Sequence, residues 1–461
     1  MKSFIKTSTT LAALLAVSHV ALAAATPEEI DKLGKSLTLS GAERTGNAEG
    51  TIPAYTGGLP ADTTVPGWVK GSGRYERNPF DDEKPVFTIK AADIEKYKDK
   101  LTAGSIQLLK KYPDYRMDIY KTHRSVAWRE KSLSYCKKNA ANAKLTADGN
   151  GFTDAYGCVP FPIPKNGLEA QWNHQLRQTA GYNAKFRASA FMVDASGRAT
   201  DSGHTEVTVV RPYQNPETDK MVDAFGQKDV SEYVGPPASV GIKILQFYST
   251  DFGSTPDSTW SYSPGQRRTR IAPEFSYDTP ISSYGGAVNF DELFGFKGKP
   301  DRFNWKLVGK KEIYVPYNAN RLMFAPTDKL TASKDFVNPD LTRWELHRVW
   351  VVEQTLKEGQ RHVFARRTMY IDEDSWATLA ADAYDQAGKL YRIAYFPLMP
   401  VWDHQTVWTS MQFYDQSKGT YFNGNLFSRP GDYFKVDATP AGLKSNLQSM
   451  TPEAMSARGI R

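Results

Sequence analysis

The side chains able to do chemistry are few and widely spaced. Beyond the first 23 residues the histidines are His123, His174, His204, His347, His362 and His404. No two stand at the His-Glu-x-x-His spacing that sets two imidazoles on one helix face against a zinc ion, and there is no Gly-x-Ser-x-Gly elbow or phosphate-cradling glycine loop. His174, near Glu169 and Trp172, can serve as an acid or base, but a structural hydrogen bond is the stronger reading. Arg267, Arg268 and Arg270 leave the turn at Pro264-Gly265, which places them at a sheet rim where guanidinium groups can clamp a carboxylate or phosphate head group. The competing readings are pairing with Glu274, Asp278, Asp301 or Glu312, and a basic docking patch. Cys136 and Cys158 are the two cysteines. In an exported chain they are expected to pair, which closes a loop worth about 3 kcal/mol; a metal site or reactive thiol is the rival. These residues support neither a catalytic site nor a cofactor or metal site.

The elements that must position them centre on a run of short period-two segments. Trp344–Thr355, His362–Asp372, Thr378–Asp385, Leu390–Phe396 and Val407–Tyr414 are separated by Gly-, Pro- and Asp-containing turns, the pattern of an antiparallel meander. Alternation sorts Val363, Ala365, Met369, Ile371, Leu379, Ala381, Ala383, Met411 and Phe413 to one dry face, with Arg367 as the exception. The opposite face is mixed, with Tyr370, Asp382, Tyr384, Gln412 and Tyr414. Alanines among larger residues either receive a packed element or leave room for an apolar guest.

Upstream, Lys2 and Lys6 precede the apolar run Leu11–Val20 and the small residues Ala21-Leu22-Ala23, a secretory signal peptide with cleavage expected after Ala23, and Ala25 as the second position. Of 58 basic and 51 acidic residues, Lys2 and Lys6 leave with that leader, so the balance falls from +7 to +5. This is too mild for a nucleic-acid binder. No later apolar run is long enough to span a bilayer and no cysteine follows the cleavage site, so a soluble, unlipidated periplasmic protein is expected. The expected organisation is an N-terminal arm, helices and disulfide loop over 24–159, a β-sheet body over 160–436 and a polar tail over 437–461. In the arm, Ile52, Tyr55 and Leu59 mark the Gly/Pro-rich stretch as laid over the body. Helical spacing appears over 91–112 and 168–177, and further strands over 188–193, 205–210, 242–248 and 258–263.

Several longer stretches carry a family resemblance. Pro160-Phe161-Pro162-Ile163-Pro164-Lys165-Asn166-Gly167-Leu168-Glu169 with Trp172-Asn173-His174, Trp260 to Arg268, Trp305 to Glu312, Arg343 to Trp350 and Tyr370 to Trp376 resemble the proteobacterial DUF1329 family, often labelled outer-membrane lipoprotein-sorting-protein-like. Ile271 stands where a further arginine is expected, and Leu293-Phe294-Gly295-Phe296 replaces a more usual Met-Phe-Asn-Gly. The resemblance implies an α+β fold similar to LolA and LolB: a large curved antiparallel sheet, an incomplete β-barrel, closed by helices over an apolar cavity. It also implies work beside an inner-membrane transporter of the resistance-nodulation-division class and an outer-membrane β-barrel protein. No catalytic residue comes with it.

The resulting expectation is a carrier of a lipid or other hydrophobic molecule, with the dry meander face as cavity wall and Arg267, Arg268 and Arg270 as head-group contacts. The alternative is an adaptor that couples a transporter to an outer-membrane barrel without binding a small molecule.

Overall fold

The computed structural model describes residues 24–272 and 275–457; the signal peptide expected over residues 1–23 lies outside them. Sixteen strands form one sheet. In chain order they are β1 (Phe87–Ile89), β2 (Met117–Ile119), β3 (Asn183–Val193), β4 (Ala199–Val210), β5 (Phe225–Gly235), β6 (Lys243–Ser249), β7 (Ser258–Ser263) and β8 (Arg268–Ile271). Then come β9 (Phe303–Pro316), β10 (Trp344–Leu356), β11 (Arg366–Asp372), β12 (Thr378–Tyr384), β13 (Leu390–Tyr395), β14 (Met411–Asp415), β15 (Thr420–Leu426) and β16 (Tyr433–Val436).

The hydrogen-bonded order is β1-β2-β10-β11-β12-β13-β14-β15-β3-β4-β5-β6-β7-β8, with β9 beside β10 and β16 beside β3. Its ends do not meet. The protein is therefore α+β with a large, almost wholly antiparallel sheet, and no barrel closes. The meander occupies the middle of the order, and the earlier hairpins β3–β8 attach to its far side through β15 and β3, which pair Tyr421 with Val193 and Phe422 with Met192.

The meander departs from its sequence pattern at two places. His362–Ala365 precedes β11 rather than joining it, and Val363 is 41% exposed. Val407 leaves the main sheet to pair with Pro400 in a separate hairpin, because the backbone turns at Ser410, whose N–H donates to Pro397.

Both faces of the meander are covered. The mixed face receives α1 (Ala103–Lys111), which is capped at its start by Thr102. Gly104 N donates to Asp382 Oδ1 at 3.0 Å, and Ser105 shares a 2.8 Å hydrogen bond with Tyr395. A Cβ at position 104 would lie 2.4 Å from Asp382 Oδ1, so the approach requires glycine. Asp382 and Tyr395 of this face thus bond to a helix rather than to water.

The dry face is filled by the segment 287–296. Arg367, the exception in the apolar series, donates from β11 to Asp291 Oδ2 at 3.1 Å and to Gly295 O at 2.8 Å. Arg392 on β13 donates to Ala287 O. Ala381, Ala383 and Ala394 lie beneath this segment with only about 10 Å³ left over. Met369, Ile371, Leu379, Ala381, Met411 and Phe413 are buried in one packed cluster, and Ala383 is buried beside them. The alanines therefore receive a packed element, which corrects the expectation of a cavity against this face.

Outside the sheet, α2 (Gly167–Leu176) is capped by Asn166, whose side chain accepts from Leu168 and Glu169. The disulfide joins Cys136 to Cys158. Ile52 and Leu59 of the Gly/Pro-rich arm are buried against the body. The C-terminal helices α3 (Pro440–Ser449) and α4 (Pro452–Ala457) bury Leu443, Met450 and Met455 against Val210, Leu245 and Tyr262. Among the described residues no helix is long and apolar enough to cross a membrane.

Two outcomes follow from this packing. Ala381→Phe overfills a space of about 10 Å³ and is expected to lower stability by at least about 1–3 kcal/mol, read from the urea midpoint; an unchanged midpoint would mean the face is not packed. Burial raises the Asp382 carboxyl to about 7, against the Gly104 and Tyr370 hydrogen bonds that pull it back. The folded state then holds a proton that the unfolded chain has released. This residue's contribution is complete below about pH 4 and is lost as the pH rises to about 7. Asp382→Asn is expected to gain on the parent between pH 5 and pH 8, and a constant difference in midpoint would refute the assignment.

Candidate functional site

The open space lies on the other half of the sheet. There β4, β5 and β6 alternate: Thr205, Val207 and Val209, then Gln227, Asp229, Ser231 and Tyr233, then Ile244, Gln246 and Tyr248 all face one cavity of about 250 Å³. The intervening residues face the other way, where Val210 and Leu245 meet the C-terminal helices. One strand register thus supplies both a cavity wall and a packed outer layer.

The roof is the chain from Phe275 to Lys297. Phe275 and Phe290 meet edge to face at 4.6 Å, and Leu293 and Phe294 continue the lining. Phe186, Trp408 and Met411 close the side toward the meander, with Phe186 and Trp408 ring centroids 4.4 Å apart. The roof turns sharply because Phe294 takes φ +57° and Gly295 φ +106°. Aromatic and aliphatic side chains make this part of the cavity an apolar compartment.

The remaining part is cationic. Arg177 follows the last turn of α2, where its Nη1 donates to His174 O at 2.6 Å, and Arg211 follows the last residue of β4. Lys297 ends the roof, 3.4 Å from the Tyr248 ring centroid and 3.6 Å from Asp229. Arg177 and Lys297 lie 5.8 and 5.9 Å from the Phe294 ring centroid. Neither Arg177 nor Arg211 forms an ion pair with any described residue, and their Nε atoms, with Gln175 Nε2, are buried without partners.

Burial lowers all three cations, Arg177 to about 9, Arg211 to about 10 and Lys297 to about 8. For Arg177 the Arg211 charge adds to burial; for Arg211 and Lys297, Asp229 partly offsets it. All three remain protonated at neutral pH. Asp257, near Lys297, is pushed up to about 7 by burial. The cavity wall is therefore cation-rich, with Asp229 as the carboxylate on its lining.

A second hollow of about 790 Å³ lies between residues 135–156 and 219–223. Lys138, Lys144, Asp154 and Lys220 line it, and Lys131 and Asp219 pair across its edge. Its solvated charges make it a surface groove rather than an apolar compartment.

The sequence profile of the family described as "Protein of unknown function (DUF1329)" matches residues 88–456. The chain belongs to the DUF1329 family. It is 37% identical over 460 residues to an uncharacterized protein of Pseudomonas aeruginosa, covering 97% of this chain and 98% of that one. Among solved structures, an outer membrane lipoprotein-sorting protein domain from Vibrio parahaemolyticus is similar with a TM-score of 0.40 and 13% identity, over 61% of this chain and 97% of that one. A LolA superfamily protein from Nitrosomonas europaea is similar with a TM-score of 0.35 and 9% identity, over 62% and 98%.

In this DUF1329 protein only Met411, of the nine residues expected to line a cavity, reaches the open space. Val363 faces outward, Ala365 is half-buried ahead of β11, and the rest lie in the packed layer. Arg267, Arg268 and Arg270 are exposed on and beside the edge strand β8, away from the cavity. Their charges there discourage edge-to-edge strand pairing. Asp278 and Asp301, expected as their partners, are instead bound by Arg302 and Lys299. His174 is buried with Nδ1 against Trp376 O and Thr378, a structural contact.

The residues missed at the sequence level had a visible signal. Arg211 continues the 205, 207, 209 phase one step past the strand end, and Gln246 and Tyr248 continue that of Ile242 and Ile244. What was lacking was the knowledge that the Lys297 end of the roof returns to the same place.

One other cluster bears on metal binding. His347, Asp372 and Asp374 bring ligand-type atoms within 4.8 Å of one another. Arg124 already donates to both Asp374 oxygens at 2.8 and 2.6 Å, Arg348 donates to Glu373 at 2.9 Å, and Glu345 accepts from Arg343. Burial would raise Glu345, but His347 and Arg343 bring it down to about 2. The network ties residues 43–55 and 124 to the turn after β11; arginines meet Glu345, Glu373 and Asp374, while Asp372 is held by the Tyr317 and Ser375 hydroxyls and keeps Oδ1 buried without a partner among the described residues.

Arg211 offers a test of the unmatched charge in the cavity. Arg211→Met removes a buried cation that has no ion-pair partner among the described residues. The variant is expected to be more stable than the parent by about 1 kcal/mol, read as a higher urea midpoint. A lower midpoint would show that the guanidinium is paired after all.

Proposed function

We propose that this protein is a carrier of small hydrophobic molecules in the periplasm, taking up a guest between β4–β6 and the 275–297 roof. The observation that carries the reading is the apolar cavity of about 250 Å³, in a protein whose meander face is otherwise filled. Interiors of this kind are normally close-packed, and a cavity of about 150 Å³ suffices for a benzene-sized guest. The space suits one short chain or ring system rather than several acyl chains at once.

Shielding apolar surface from water is worth about 25 cal/mol per Å², which is the reason a hydrophobe crossing an aqueous compartment needs an enclosure. The expected transporter and outer-membrane barrel partners belong to this reading as the donor and acceptor of the guest. The filled meander favours one other reading, an adaptor joining those two partners without cargo.

Ser231 lies on β5 facing the cavity, and Ser231→Trp occupies much of the space. A fluorescent naphthylamine probe should bind the parent and bind the variant at least about tenfold more weakly, while the thermal midpoint stays within a few degrees. Native mass spectrometry of the protein taken gently from periplasm should show a bound hydrophobe in the parent alone. Equal probe binding by both proteins would remove the cavity from consideration and leave the adaptor.

A further inference from the structure

The polar end of the cavity specifies more than hydrophobicity. Resting on the carrier reading, we infer that the guest is an anionic amphiphile, whose compact oxyanion sits among Arg177, Arg211 and Lys297 and whose single apolar chain or ring lies along Phe186, Phe290 and Phe294.

Three observations converge. First, the lining brings three cations to one space against the single carboxylate of Asp229. Asp229 is already shared, since Gln227 Nε2 donates to both its oxygens at 2.8 Å and Lys297 lies at 3.6 Å. Second, the unpartnered buried polar atoms of Gln175, Arg177, Arg211 and Asn425 on the lining are all nitrogens. A set of donors without acceptors calls for a group that only accepts, as a carboxylate or phosphate does. Third, Arg177 and Arg211 are 5% and 8% exposed, so bulk water does not solvate them as it would surface arginines.

The alternatives explain less. A neutral guest leaves the guanidinium groups unmatched, and a cationic guest adds to them. The other buried arginines each meet a carboxylate, as Arg367 meets Asp291 and Arg124 meets Asp374. At about 30 Å³ per water-sized group, the space holds about eight such groups beyond any open entrance. That matches a chain of medium length behind one head group.

Calorimetric titration of the delipidated protein at pH 7.5 and fixed salt with decanoate, decyl phosphate, decanol and decyltrimethylammonium tests the inference. The two anions are expected to bind about tenfold or more tighter than decanol, with the ammonium weakest. The tighter of the two anions identifies the head group as carboxylate or phosphate. Arg211→Met and Arg177→Met should each narrow the gap between the anions and decanol severalfold, and the midpoint of each variant shows that it is folded. Equal binding of decanol and the anions, unaffected by either variant, overturns the anion assignment and leaves the cavity intact. Binding of none of the four overturns the carrier reading and this inference with it.

Discussion

The contact between Arg367 and Asp291 holds the molecule's two halves in their relation. Arg367 is 2% exposed and reaches out of an apolar strand face to Asp291, which His362 also engages at 2.9 Å. Burial alone would raise the Asp291 carboxyl, but Arg367 and His362 hold it below the usual range. Such a pair is costly to bury and more costly to break, since either partner alone would be an uncompensated charge. Its geometric effect is to fix residues 287–296 over the meander. That segment then continues as the cavity roof and delivers Lys297 to the cationic end.

Filling one half of the sheet and opening the other are therefore linked outcomes. Over β11–β14 the alanines permit the covering segment to approach, and Arg392 and Arg367 anchor it through backbone carbonyls. Over β4–β6 the facing residues are no larger on average, but no arginine reaches across to draw the cover in. The roof stands off on the aromatic rings of Phe275, Phe290 and Phe294. The cavity exists because the covering chain is drawn against the strands over the meander, while over β5 it is held by the Tyr233–Ser283 and Asp229–Lys297 contacts and propped off on rings.

Much of the fold was legible in the sequence. The meander, the α2 helix after Asn166, the strands at 205–210 and 242–248, and the buried arm residues Ile52 and Leu59 all follow from periodicity, capping and turn chemistry. The site was less so. Period-two alternation shows which residues share a face but not what covers that face, and the dry meander invited a guest that the protein's own 287–296 segment displaces. Arg367 was the one residue in the series that signalled this, since a lone arginine on a dry face must have a partner brought to it. The visible cluster Arg267-Arg268-Thr269-Arg270 drew attention because it is contiguous. Arg177, Arg211 and Lys297 are distant in sequence and are assembled only by the pairing of β3–β6 with one another and the return of the roof.

The two arrangements of buried arginine in one protein separate structure from function. Arg124, Arg343, Arg348, Arg367 and Arg392 each meet a carboxylate, so folding recovers by pairing part of what it loses by desolvation. Arg177 and Arg211 meet none among the described residues, and the cavity beside them is left open. A chain that pairs five buried arginines has the means to pair two more, yet Asp229 on β5 is taken up by Gln227 and Lys297. Natural proteins retain destabilising groups chiefly where function uses them. The unpaired arginines and the open space belong together: the volume that lacks side chains lies against the charges that lack counter-ions, which is what the proposed anionic guest requires.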